Sequence, residues 1–171
     1  CNGSEEENAY LLREAEAQGI VQKLNEAKVP GSYLERSNPN DVARVEQFTL
    51  ICTPTKEEAG PTNNWADPAE TYTKLNGMLK GAMKGRTLFV IPYIMGPPDS
   101  PLAKVGFEIT DSLYVVLSLR IMTSLAKIEV TRLEASAHDE WTHGTHSWLD
   151  VNPARSCIRH FPAANPTIPS D

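Results

Sequence analysis

Apolar and polar positions follow two rhythms along this chain, and each change of rhythm marks an element. Behind Ser4, the residues Leu11, Leu12 and Ala15 recur at helical spacing. Ser4 and Glu7 have the spacing of a capping box, Glu5 to Glu7 complement the positive end of a helix dipole, and Gly19 supplies a stop. Ile20 to Leu24 then alternates as a strand does. Pro30, Gly31, Asn38, Pro39 and Asn40 punctuate residues 28–41 as a loop, and Phe48 to Cys52 reads as a buried strand. Asp67-Pro68-Ala69-Glu70 opens a second helix, with Asp as N-cap and Pro at the first helical position, carrying Tyr72, Leu75, Leu79 and Met83.

Thr87 to Met95 is a nearly continuous apolar run and reads as a central strand, with Pro92 placed where the ladder needs no donor. After Gly96-Pro97-Pro98-Asp99 comes a strand over Lys104 to Thr110. Asp111 is the expected cap of a third helix bearing Val115, Val116, Leu119 and Met122. Further strands are predicted over Ile128 to Leu133 and Trp141 to Trp148. Helices and strands alternate, so the fold class is α/β or mixed α+β, a mixed sheet flanked by helices.

Length changes this picture only by bounding it: 171 residues suit one domain better than three. Sixteen Lys+Arg against 22 Asp+Glu leave a net charge of −6, which argues against nucleic acid as a partner. An anionic small molecule needs only one or two placed cations and stays open. No apolar run is long enough for a membrane span, and no signal-peptide core is seen near the N-terminus. Cys1, Cys52 and Cys157 are far apart and odd in number, which suggests free thiols and a cytoplasmic setting. A start on Cys1 and a proline-rich close suggest a piece of a longer protein.

Phosphate loops, dinucleotide fingerprints and the common hydrolase and zinc-protease motifs are missing. His138, His143, His146, Cys157 and His160 invite a metal reading, but on a strand His143 and His146 would face opposite sides. Lys84 and Arg86 suit either an anion contact or the negative end of a helix. Arg44, within Asp41-Val42-Ala43-Arg44-Val45-Glu46, is by itself an ordinary surface arginine beside a glutamate. It is also the kind of planar fork that grips a carboxylate or phosphate.

Several ordered stretches resemble the N-terminal region of GTP-dependent phosphoenolpyruvate carboxykinases. They are Cys1 to Glu7, Asn40 to Glu46, Ala59-Gly60-Pro61-Thr62-Asn63-Asn64-Trp65, Met83 to Thr87 with Val90 to Pro97, Gly106 to Ser112, and Arg120 to Thr123. The likeness is to the bacterial branch and runs over residues 1–125. Over 126–171 it thins to His146-Ser147, Asn152-Pro153 and His160-Phe161-Pro162.

The resemblance implies that 1–171 is a partial, substrate-side N-terminal domain of a two-domain carboxykinase, truncated before the nucleotide-binding catalytic domain. The reaction it implies turns oxaloacetate and GTP into phosphoenolpyruvate, GDP and carbon dioxide, a gluconeogenic step. It implies Arg44 as the ligand of oxaloacetate or phosphoenolpyruvate and Glu46 as a loop-gating carboxylate. Lys84 and Arg86 then become packing residues. Mn²⁺ or Mg²⁺ and GTP would be bound by the complete, monomeric enzyme and not by residues of this chain. No catalytic residue or metal ligand is expected here, and the isolated chain is expected to lack turnover. The rival expectations are a free-standing, non-catalytic remnant acting as a binding module, and a metal-binding module built on His143 and His146.

Overall fold

The computed structural model describes residues 1–36, 46–97, 100–123, 142–147 and 157–162. Among them are three α-helices and eight strands, so the class is mixed α+β. The chain divides into two compact units that interleave in sequence: Cys1–Ser37 with Thr87–His146, and Asn38–Arg86 with Ser147–Asp171.

The first unit begins with helix α1, Glu5–Ala17. Its termini follow the sequence signals. Ser4 Oγ accepts from the Glu7 amide at 3.1 Å, while the Glu7 carboxylate turns back to accept from the amides of Asn2 and Gly3. At the other end Gly19 adopts φ +71°, and the Ile20 amide reaches the Ala15 carbonyl at 2.8 Å, which closes the helix in a Schellman turn. Ile20 then packs on the core, and strand β1, Val21–Lys23, follows. It pairs antiparallel with β2, Tyr33–Glu35, a strand inside the segment expected to be loop. Three residues show too little alternation to announce themselves; pairing with β1 makes the strand.

Strands β5 (Phe89–Met95), β6 (Lys104–Thr110) and β7 (Thr142–His146) form the mixed sheet of this unit, β5–β6 antiparallel and β6–β7 parallel. Among the described residues β5, expected to be central, pairs with β6 alone. A strand bearing Pro92 lacks one donor and is best tolerated at an edge. Helix α3, Leu113–Met122, is capped by Ser112 rather than Asp111: Ser112 Oγ accepts from the Val115 amide at 3.4 Å. Ile91 of β5, Leu11 and Ala15 of α1, Val21, and Leu113, Val116 and Leu117 of α3 form one buried cluster. Ile128 to Leu133 lies outside the described residues.

Helices α1 and α3 are joined by Arg120. Its Nη2 donates to the carbonyls of Gly3 and Ser4 at 3.3 and 3.2 Å, and its Nη1 lies 3.6 Å from Glu7. The arginine side chain is only 11% exposed, so this is a nearly dry charge pair.

The second unit holds a parallel sheet in the order β4-β3-β8: Asn64–Trp65, Thr49–Ile51 and Ile158–His160. Helix α2, Pro68–Leu79, starts as predicted, Asp67 accepting from the Glu70 amide at 2.9 Å with Pro68 in the first turn. It stops before Met83, and Tyr72 meets Phe161 edge to face at 6.1 Å.

Candidate functional site

Arg44 lies outside the described residues. Glu46 opens a short 3-10 turn, Glu46–Phe48, which leads directly into β3. The expected strand from Phe48 to Cys52 is therefore shorter: Phe48 belongs to the turn, Thr49–Ile51 is half-buried, and Cys52 beyond it is buried.

The anchor of this segment is well bonded. Leu50 pairs with Asn64 on one side and Arg159 on the other. The Cys52 amide donates to the His160 carbonyl at 2.8 Å. Below β3, the Trp65 indole N–H donates to the Thr53 carbonyl at 2.9 Å, and the Asn63 amide to the Ala59 carbonyl at 2.7 Å. The Gly60-to-Trp65 motif is thus a folded loop that holds the chain leaving β3. Arg159 Nη1 donates to the Phe48 carbonyl, the last of the turn, and to the Ile158 carbonyl at 2.9 Å.

The other candidates separate from this site. Arg86 Nη2 donates to the Ala82 carbonyl at 2.6 Å, which fits a packing role. His143 stacks on Phe107 with ring centroids 5.6 Å apart, whereas His146 Nδ1 lies 3.0 Å from Thr110 Oγ1. Phe107 and Thr110 are on opposite faces of β6, so the two histidines share no ligand site. Among the described residues, no three His, Cys, Asp or Glu side chains come together to hold a metal. His138 lies outside the described residues. Cys1, Cys52 and Cys157 are free.

Glu108 was not singled out by the sequence. It sits mid-sheet, paired with Ile91 of β5 and Gly144 of β7, on the face that includes the buried Ile91. Its carboxyl lies where a β-carbon on Gly144 would be, and burial pushes its pKa up from 4.5 to about 7. A charged residue interrupting the apolar alternation Val105-Gly106-Phe107-Glu108-Ile109 was the available signal.

These elements define a mixed α+β fold whose second unit holds a parallel sheet entered through the Glu46–Phe48 turn. Comparison with known proteins narrows the class. The family described as phosphoenolpyruvate carboxykinase N-terminal domain matches residues 1–167. The chain is 52% identical over 165 residues to the phosphoenolpyruvate carboxykinase [GTP] of Anaeromyxobacter dehalogenans (strain 2CP-C), covering 96% of this chain and 27% of that protein. It is 57% identical over 127 residues to that of Neocallimastix frontalis, covering 74% and 21%. It is 46% identical over 147 residues to that of Corynebacterium jeikeium (strain K411), covering 86% and 24%. The chain belongs to the phosphoenolpyruvate carboxykinase N-terminal domain family, and it spans about a quarter of the length of these relatives.

Proposed function

We propose that this chain is the substrate-side part of a GTP-dependent phosphoenolpyruvate carboxykinase, and that Arg44 holds the carboxylate of oxaloacetate or phosphoenolpyruvate. The observation that carries this reading is the family match over residues 1–167, together with relatives named as GTP-dependent carboxykinases at about half identity. In this reaction oxaloacetate loses carbon dioxide to give an enolate, whose oxygen takes the γ-phosphoryl group of GTP.

The chain's contribution to that chemistry is binding and orientation. A guanidinium donates two parallel charge-assisted hydrogen bonds to a carboxylate, and so fixes both its position and its plane. Holding the substrate's carboxylate keeps the reacting end in line for both steps, which lowers the entropic part of the barrier. Glu46, two residues on, acts as the gating carboxylate of the same segment. GTP and a divalent metal, Mn²⁺ or Mg²⁺, act from the part of the enzyme that this chain does not cover, and the metal supplies charge stabilisation. The chain alone is inactive, its partner is the catalytic domain, and the complete enzyme is a cytoplasmic monomer. Among the described residues no helix is long and apolar enough to cross a membrane.

The test is Arg44→Ala in a complete carboxykinase carrying this domain. Losing a charge-assisted contact costs about 1.5–3 kcal/mol, roughly a 10- to 100-fold loss in kcat/KM for oxaloacetate. Unchanged kinetics would remove Arg44 from the substrate site.

A further inference from the structure

We propose that Asn2 is a chemical modification site of this fold: a deamidation site whose nucleophile is the Gly3 amide nitrogen, kept closed by the Glu7 carboxylate. The inference is independent of the reading of Arg44. Asn2 is exposed and is followed by glycine, which has no β-carbon to obstruct attack by its own nitrogen.

The reaction needs only water. The Gly3 nitrogen gives its proton to solvent base and attacks the Asn2 side-chain carbonyl carbon. The new carbon–nitrogen bond closes a five-membered succinimide, and the side-chain amide group takes up a proton and leaves as ammonia. Water then opens the ring at one carbonyl or the other, giving aspartate or isoaspartate. An amide is exchanged for a carboxylate, one negative charge is gained, and nothing is oxidised or reduced.

The contacts around Asn2 oppose each part of this step. The Gly3 N–H donates to Glu7 Oε2 at 2.9 Å. A proton held this way is harder to remove, and the carboxylate repels the anion that its removal would leave. The Asn2 amide donates to both oxygens of the same carboxylate at 3.0 Å. On the electrophile, Asn2 Oδ1 accepts from the Ser4 amide at 2.8 Å, which ties down the side-chain carbonyl. Arg120 secures the segment from α3, through the Gly3 and Ser4 carbonyls and through Glu7. Ring closure must break the bond to Glu7, so the site reacts only when this segment opens. Glu7 therefore has two tasks, capping α1 and guarding the bond between Asn2 and Gly3. Isoaspartate would lengthen the backbone just ahead of the two carbonyls that Arg120 holds, and so loosen the tie between α1 and α3.

The experiment follows deamidation at Asn2 by peptide mass spectrometry, in a complete carboxykinase carrying this domain, at mildly alkaline pH. Wild type, Glu7→Ala, Glu7→Gln and Gly106→Ala are compared with the urea-unfolded wild-type chain. Gly106→Ala strains the same unit at the β6–β7 pairing and leaves every contact of Asn2 and Gly3 in place. The unfolded chain should deamidate fastest, and folded wild type at least about 10-fold more slowly. Glu7→Ala should raise the folded rate roughly 10- to 100-fold, the worth of a hydrogen bond to a charged group. Glu7→Gln, which keeps the shape and one acceptor, should fall between. Gly106→Ala should stay within about 3-fold of wild type. Folded wild type reacting at the unfolded rate would show the site open, and slow Glu7 variants would show it closed by something else; either overturns the proposal. Equal acceleration by Glu7→Ala and Gly106→Ala overturns it too, since protection would then come from global stability. So does an unfolded chain that leaves Asn2 intact.

Discussion

Replacing Glu108 by Gln should stabilise this protein, and by an amount that depends on pH in a defined direction. The carboxyl lies against Gly144 on the core-facing side of the sheet, and no described residue forms an ion pair with it. Holding it at about 7 rather than 4.5 sets a ceiling of about 3 kcal/mol against the anion, at about 1.36 kcal/mol per pH unit. The side chain is only half-buried, and water screens part of that cost, so about 1–2 kcal/mol is the working figure. The folded carboxyl binds its proton more tightly than the unfolded one. The penalty is therefore absent below about pH 4.5, grows as pH rises, and is complete above about 7.

Glutamine keeps the shape and cannot ionise. Thermal denaturation of wild type and Glu108→Gln across pH 4.5–8 reads the difference directly, since all other carboxylates cancel between the two proteins. For a chain of this size each kcal/mol moves the midpoint by about 2–4 °C, so the variant should melt about 2–8 °C higher at pH 8 and level with wild type at pH 4.5. A difference that is flat with pH, or that favours wild type at pH 8, would show Glu108 to be a paired anion and refute the reasoning.

Two further predictions concern the first unit. Gly106→Ala should destabilise by about 1–3 kcal/mol in urea titrations, because the new β-carbon would fall 2.5 Å from the Thr142 backbone carbonyl and 2.8 Å from the Tyr93 ring. Backbone cannot swing aside, so an equally stable variant would contradict the described β6–β7 pairing. Arg120→Ala should cost about 1–3 kcal/mol, since it removes the donor to the Gly3 and Ser4 carbonyls and the cation beside Glu7, whose carboxylate keeps the Asn2 and Gly3 amides. A loss below about 1 kcal/mol in the same titration would mean the pair is as weak as an exposed one.

Much of the fold was legible because its signals are local. Ser4, Gly19 and Asp67-Pro68 act on amides and carbonyls within one helical turn, and both ends of α1 and the start of α2 appear where the sequence puts them. β6 shows seven residues of pattern and runs over Lys104–Thr110, the span the pattern predicts. The failures have a common physical cause. β2 is three residues long and exists through pairing with β1; among the described residues β5 pairs with β6 alone, and a strand's neighbours are set by topology rather than by its own pattern. Ser112 and Asp111 are both good caps, and only the backbone geometry selects between them.

The candidate site rests on resemblance. Arg44 is proposed on that ground, since its own neighbourhood suits a surface ion pair equally well. Glu108, Arg120 and Arg159 were missed because their meaning lies in distant partners. Gly144 is 36 residues from Glu108, the Gly3 carbonyl 117 from Arg120, and Phe48 111 from Arg159. A polar residue whose partner is that remote carries no periodicity.

The interleaving of the two units has a consequence for how the chain is made. Leu11 and Ala15 emerge from the ribosome early, yet the α3 residues that bury them come about a hundred positions later. β3 must likewise wait for Arg159 and its neighbours before its second edge is covered. At roughly 5–20 residues per second, the N-terminal helix spends on the order of 5–20 s as an amphipathic segment with no partner. During that interval its apolar stripe is open to chaperones or to other nascent chains, so the yield of folded protein should depend on translation speed before it depends on final stability.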